Sequence, residues 1–127
     1  MEILNIEMIM TYIEKQSWPN KHKHIIVLLQ PNIGSLEIDV YPNEQDIAYI
    51  SYLYIQKECR KNGYGTQLLK TAEDYIKQEL NINRVGLWIS IGMTADYAYN
   101  WYIKNDYNLE SDKDKDERNI FLIKYIG

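Results

Sequence analysis

Between residues 36 and 80 the hydrophobic period of this chain changes twice, and nothing else in the sequence restricts the fold as much. Leu36, Ile38 and Val40 alternate with Glu37, Asp39 and Tyr41, the pattern of a strand with one wet face. Residues 47–55 read Ile-Ala-Tyr-Ile-Ser-Tyr-Leu-Tyr-Ile, apolar or aromatic on both faces, which predicts a central strand. A polar, glycine-bearing loop follows from Lys57 to Gly65. From Thr66 onward Leu68, Leu69, Ala72, Tyr75, Ile76 and Leu80 recur at helical spacing. A hairpin that feeds a buried strand and then a helix requires a sheet with a helix laid on it.

The flanks extend the pattern. Ile25 to Leu29 is a β-branched, aliphatic run that stops at Gln30-Pro31-Asn32, so it predicts a strand joined to the next through the short Pro31 to Gly34 connection. A polar turn at Asn81 to Asn83 ends the first helix. Val85 to Ile91 predicts a second buried strand, Thr94 caps a helix carrying Ala98, Trp101 and Tyr102 on one side, and Ile120 to Ile126 predicts a last strand. Before Trp18-Pro19-Asn20 the opening segment fits both periods: Leu4, Ile6, Met8 and Met10 alternate, whereas Ile3, Ile6, Met10 and Ile13 form a helical stripe. The reading adopted is a short strand or turn running into a helix that ends near Lys15. Asp112 to Arg118, alternating acid and base, reads as a solvated hairpin loop.

Length and composition set the limits. The 127 residues suit one domain covering 1–127, long enough to bury a core without disulfide or metal staples. Hydrophobic residues at 46% and charged ones at 25% exclude a disordered chain. The longest aliphatic stretch, Ile25 to Leu29, is far short of a membrane span. The start lacks the basic region and unbroken apolar core of a secretion signal, and Cys59 is the only cysteine. Cytoplasmic residence is expected, with no membrane partner. A net charge of -4 opposes generic nucleic-acid binding and favours a cationic partner. His22 and His24 share a strand face but have no evident third ligand, so no metal site is expected.

One arrangement has a specific chemical use. A strand, then Arg60-Lys61-Asn62-Gly63-Tyr64-Gly65, then a helix brings an anion against unpaired backbone N–H groups and the positive end of a helix. Glycines at 63 and 65 remove side chains that would block the approach, and Arg60 adds a cation. The stretch Ile55 to Gly65 followed by Leu68-Leu69 resembles the acyl-CoA motif of the GNAT superfamily of N-acetyltransferases. A second block, Ala98 to Tyr107, is similar to the family's later motif, with Tyr102 four residues after Ala98. The ending Leu122-Ile123-Lys124-Tyr125-Ile126 resembles its last strand. The sequence departs from the pattern at Asp106, where Gly is usual, and at Ala95, where Asn often stands. Its N-terminal part is also short, which implies an open or homodimer-completed acceptor pocket.

The resemblance implies an α/β (α+β) fold with a mixed, mostly antiparallel sheet, two splayed central parallel strands and flanking helices. It implies acetyl-CoA as co-substrate, transferred to a primary amine on a small molecule or protein by direct attack in a ternary complex, without a metal. Carried over by position, the backbone of Leu53 and Ile55 holds pantetheine, and the Leu53 N–H stabilises the thioester oxygen. The loop residues Arg60, Lys61, Asn62, Gly63, Tyr64, Gly65 and Thr66 hold the pyrophosphate, and Tyr102 gives a proton to the leaving thiolate. The base is open. Some relatives carry Glu where this chain has Tyr49, a poor base with an ordinary pKa of about 10. Asp46, Glu37 and Asp39 are alternatives that read better as solvated strand or turn residues, and a water chain serves as well. Cys59 has no recognisable His partner for covalent catalysis. The competing reading is a catalytically silent acyl-CoA-binding or protein-interaction module of the same fold.

Overall fold

The computed structural model describes residues 10–17, 22–29, 32–90, 92, 95–110 and 118–127. Its strands are β1 (Met10–Ser17), β2 (His22–Leu29), β3 (Gly34–Tyr41), β4 (Glu44–Ile55), β5 (Arg84–Ser90) and β6 (Asn119–Tyr125). They form one sheet in chain order, with helices α1 (Tyr64–Gln78) after β4 and α2 (Ala95–Lys104) after β5. All neighbours are antiparallel except β4 and β5, which are parallel. This is the mixed, mostly antiparallel sheet that the resemblance implies.

The opening segment departs from the expected helix. Met10–Ser17 is a strand paired with β2 along its length, Met10 opposite Leu29 and Ser17 opposite His22. Where apolar positions fit both periods, tertiary pairing decides: the edge of β2 offers each residue a backbone partner, whereas a short isolated helix is marginal. Residues 1–9, the Trp18-Pro19-Asn20 break, Pro31, Thr94, Ile91 and the charge-alternating stretch before Arg118 lie outside the described residues.

The core lies on one face of the sheet. Ile25, Val27 and Leu29 of β2, Leu36 and Ile38 of β3, and Val85 and Leu87 of β5 are buried against Leu68, Leu69, Ala72 and Ile76 of α1. Helix α2 packs on the same core through Ala98, Trp101 and Tyr102. In β4 the pairing register slips between Glu37 and Ile38, leaving Ser51 without a partner. This bulge changes the parity of the strand, so Ala48 and Ile50 face the core before it and Leu53 and Ile55 after it.

The opposite face carries polar and aromatic side chains. His24 lies between Asp39 (Nδ1 to Oδ1, 2.6 Å) and Glu37 (Nε2 to Oε1, 2.8 Å). Asp39 is thus buried and bonded rather than solvated, and Glu37 is also committed. Hydrogen bonding to Asp39 is the main cause that raises the His24 pKa above its ordinary value, with burial opposing it. A histidine raised in the folded state adds stability that is complete below its unfolded pKa of about 6.5 and is lost as pH rises through the higher folded pKa. The melting-temperature gap between the parent protein and His24→Gln should therefore narrow steadily from pH 6 to pH 9. A gap that stays constant would show that the imidazole does not gain its proton from this pair.

Candidate active site

Strands β4 and β5 pair through only Ala48 with Val85 and Tyr49 with Gly86. Beyond Tyr49, residues 50–55 of β4 part from β5, and the splay opens towards the N-terminus of α1. Backbone direction there follows from alternation along an extended strand. The Gln56 N–H donates to the Ile33 carbonyl at 2.8 Å, on the β3 side. The amides of Ile55 and Leu53 are the first and third before it, so both face the splay. The Ile55 carbonyl is on that side too, where it accepts Arg60 Nε at 2.9 Å. The Arg60 guanidinium also lies 5.4 Å from the Tyr54 ring centroid.

The loop from β4 to α1 is built for a bare helix end. A single 3-10 turn, Lys57–Cys59, is followed by two residues with positive φ, Lys61 (+67°) and Gly63 (+79°). Asn62, between them, donates its side-chain amide to the carbonyls of Cys59 and Arg60, both at 3.1 Å. Gly63 is the residue before α1. No side chain caps the helix, and its first turn carries no acidic residue. At Gly65 an added Cβ would meet Trp101 Cζ2 at 3.3 Å, so α1 and α2 approach closely here because that position has no side chain.

Splay, loop and α2 enclose a cleft of about 460 Å³, lined by Leu53, Ile55, Arg60, Lys61, Gly63, Tyr64, Gly65 and Thr66, with Tyr102 and Trp101 on the α2 wall. Of the positions that the sequence offers for cofactor binding and catalysis, Asn62, Tyr49 and the alternative bases Asp46, Glu37 and Asp39 lie outside this cleft. Asn62 is spent on the loop's own carbonyls. Tyr49 is on the other face of the sheet, with its hydroxyl donating to Glu44 and its ring against Tyr41 and Phe121. Burial is the largest cause, and Glu44 the next, pushing the Tyr49 pKa up to about 12, which keeps it protonated at neutral pH and so unavailable as a base. Asp46 pairs with Arg84, and among the described residues no carboxylate or histidine lines the cleft. Tyr102 is pushed up to about 12 by burial, so it holds its proton at neutral pH. Cys59 lines the cleft beside Arg60.

Residues 4–107 match the Acetyltransferase (GNAT) family. This chain is a member of that family. Among solved structures, GCN5 from Tetrahymena is similar with a TM-score of 0.66 at 20% identity, over 82% of this chain and 69% of that one. The N-acetyltransferase PseH from Campylobacter jejuni gives 0.63 at 14% identity, over 86% and 71%. The spermidine/spermine N-acetyltransferase SpeG from Vibrio cholerae gives 0.62 at 16%, over 85% and 67%. At these identities the likeness is one of fold. No curated protein sequence matches the chain.

The GNAT frame accounts for one departure. Asp106, in place of the usual glycine, has φ +71°, a left-handed conformation that Asp tolerates better than most side chains. Five residues of the cleft have no site role from the sequence: Tyr54, Cys59, Tyr97, Ala98 and Trp101. The helical spacing of Tyr97, Ala98 and Trp101 carried that signal, because it puts them on adjoining parts of one surface. Among the described residues no group of three or more His, Cys, Asp or Glu is placed to hold a metal ion. No described helix is long and apolar enough to cross a membrane.

Proposed function

We propose that this GNAT-family chain transfers an acetyl group from acetyl-CoA to a primary amine by direct attack in a ternary complex. The observation that carries the reading is the end of α1, bare of caps and acidic side chains, opening into the same cleft as the splayed edge of β4. Backbone N–H groups of Tyr64, Gly65 and Thr66, together with Arg60 and Lys61, offer donors and positive charge to a pyrophosphate. The splay-facing amides of Leu53 and Ile55 offer pantetheine the edge of a strand, as in strand addition. The Leu53 N–H is then a donor for the thioester oxygen as it becomes negative. Tyr102, on the facing wall, is the donor for the departing thiolate. Since no carboxylate or histidine lines the cleft among the described residues, the amine gives up its proton to water. The supports are the family membership, the cleft and the amide directions.

Acetyl-CoA at a hundred times its dissociation constant should stabilise the fold by about 2.7 kcal/mol, read as a higher melting temperature. Thiol release should follow when spermidine, a lysine-bearing peptide and a free amino acid are offered in turn. A melting temperature unmoved by millimolar acetyl-CoA rejects the cofactor assignment. Stabilisation without release of CoA from acetyl-CoA, whichever amine is offered, selects the silent binding module.

A further inference from the structure

Glu73 is a buried carboxylate that the proposed chemistry does not use. It lies on the core-facing side of α1 at 4% exposure and accepts three hydrogen bonds, from Tyr107 Oη at 2.7 Å and from Lys124 Nζ at 2.9 and 3.1 Å. Tyr107 follows α2 and has no exposed surface, and Lys124 belongs to β6. One carboxylate therefore ties together the helix that begins at the pyrophosphate loop, the segment that ends α2, and the last strand. Breaking the Glu73–Lys124 pair strands a charge in the interior, whereas the Tyr107 hydroxyl is a neutral donor to the same carboxylate.

The cluster also reaches the site. The Tyr107 ring meets the Tyr102 ring edge-on, with centroids 5.5 Å apart and planes at 72°. The Tyr107 N–H donates to the Tyr102 carbonyl at 3.0 Å, as does the Asn105 N–H. Tyr102 is held by its backbone and by its ring to the residue whose hydroxyl Glu73 anchors. The Tyr107 hydroxyl is what adds the connection to α1.

We propose that Glu73, Tyr107 and Lys124 form a positioning device that fixes Tyr102 relative to the α1 loop. The proposal rests on the reading of Tyr102 as the group that meets the departing thiolate. It assigns no contact with substrate to the three residues. Their effect passes through the placement of the Tyr102 ring, so their influence on turnover vanishes once the Tyr102 hydroxyl is gone.

Glu73→Leu leaves Lys124 unpaired and is liable to unfold the chain, so Tyr107→Phe is the informative variant: it keeps the ring and leaves the Glu73–Lys124 pair in place. With acetyl-CoA and the amine turned over fastest, Tyr107→Phe should lower kcat about fivefold, the size of coupling usual for neighbours in contact. KM for acetyl-CoA should stay within about twofold of the parent value, since the loop is untouched. In a Tyr102→Phe background the same change should have no further effect. An equal drop in both backgrounds, or none in either, overturns the proposal. Failure of the proposed function shows separately, as no CoA release by the parent protein. A second readout then decides: the Tyr102 signal in protein carrying ¹³Cζ-labelled tyrosine, with acetyl-CoA alone. It should shift or broaden in Tyr107→Phe, and an unmoved signal overturns the proposal.

Discussion

Gly63→Asp should abolish the rise in melting temperature that acetyl-CoA produces, while Gly63→Asn should keep most of it. Gly63 has φ +79° and no atom within 4 Å of an added Cβ, so the position is strained for most side chains but open in space. Asn and Asp both tolerate the left-handed region and differ at neutral pH by one charge. The Asp carboxylate would sit at the uncapped end of α1, where it can accept the N–H groups otherwise offered to phosphate. In the absence of acetyl-CoA it should hold or slightly raise the melting temperature, because it supplies a cap. A site lost while the unliganded fold is kept or strengthened is the signature of an anion displaced rather than of a loop broken. The expected loss is the whole ligand-induced shift, since the carboxylate both occupies the donors and repels the pyrophosphate. Equal acetyl-CoA shifts in the two variants would move the phosphate site away from this helix end. Gly65 is less suited to the test, because its missing side chain also makes room for Trp101.

How far the sequence reaches depends on whether periodicity has a single solution. For β3, β4 and α1 it does: alternation in 36–41, apolar residues on both faces of 47–55 and the helical stripe from Leu68 each fit one period. The observed elements cover them except for Leu80, which lies beyond the end of α1 at Gln78, with β4 beginning earlier at Glu44 and α1 at Tyr64. The earlier start of α1 has a local cause, since Gly63 turns the chain directly into the helix and Tyr64 can begin it. For Met10–Ser17 the pattern fits both periods, and the choice rests with β2, whose residues lie eleven to thirteen positions away in the pairs at the middle of the register, Ile13 with Ile26 and Glu14 with Ile25. No local signal contains that information. The Ser51 bulge is hidden for a related reason: an extra residue in a run that is apolar on both faces leaves no break in the pattern, and only the β3 register reveals it.

The cleft is legible where it is built from backbone. Glycine placement between a strand and a helix is visible in sequence, and Gly63, Gly65 and their neighbours line the cleft. Side chains that depend on which face of the sheet they occupy were not. Tyr49 is four residues before Leu53, which would put both on the same face of a regular strand, yet the bulge between them sends Tyr49 to the other side from Leu53. Asp39 was misjudged because its solvation depends on His24, fifteen residues away, which the register places opposite it. The buried Glu73 is a similar case. Within α1 it reads as one more helical acid, and only the arrival of Tyr107 and Lys124 from later in the chain makes its burial tolerable.

Tyr102→Phe should lower kcat by roughly tenfold to a hundredfold and leave both the unliganded melting temperature and the acetyl-CoA shift close to the parent values. The substitution keeps the ring that stands edge-on to Trp101 at 4.9 Å and to Tyr107 at 5.5 Å, so packing is retained and only the hydroxyl is lost. Its magnitude follows from what that hydroxyl can do. Burial pushes Tyr102 up to about 12, whereas an ordinary thiol titrates at about 8.5, so complete proton transfer to the thiolate is uphill unless the same burial raises the thiol as well. The hydroxyl then acts chiefly as a hydrogen-bond donor to sulfur as negative charge develops, and a bond to a charged group contributes about 1.5–3 kcal/mol, which is the stated range in rate. A pH test follows with a definite sign. The donor is present below its pKa, so the parent kcat should show no alkaline fall attributable to Tyr102 up to about pH 11. A fall centred near pH 10 that disappears in Tyr102→Phe would mean that the hydroxyl is solvated rather than buried in the working enzyme. Unchanged kcat in a reaction shown by single-turnover kinetics to be limited by chemistry would remove Tyr102 from the transition state, leaving the ring as a wall of the cleft and water as the proton source.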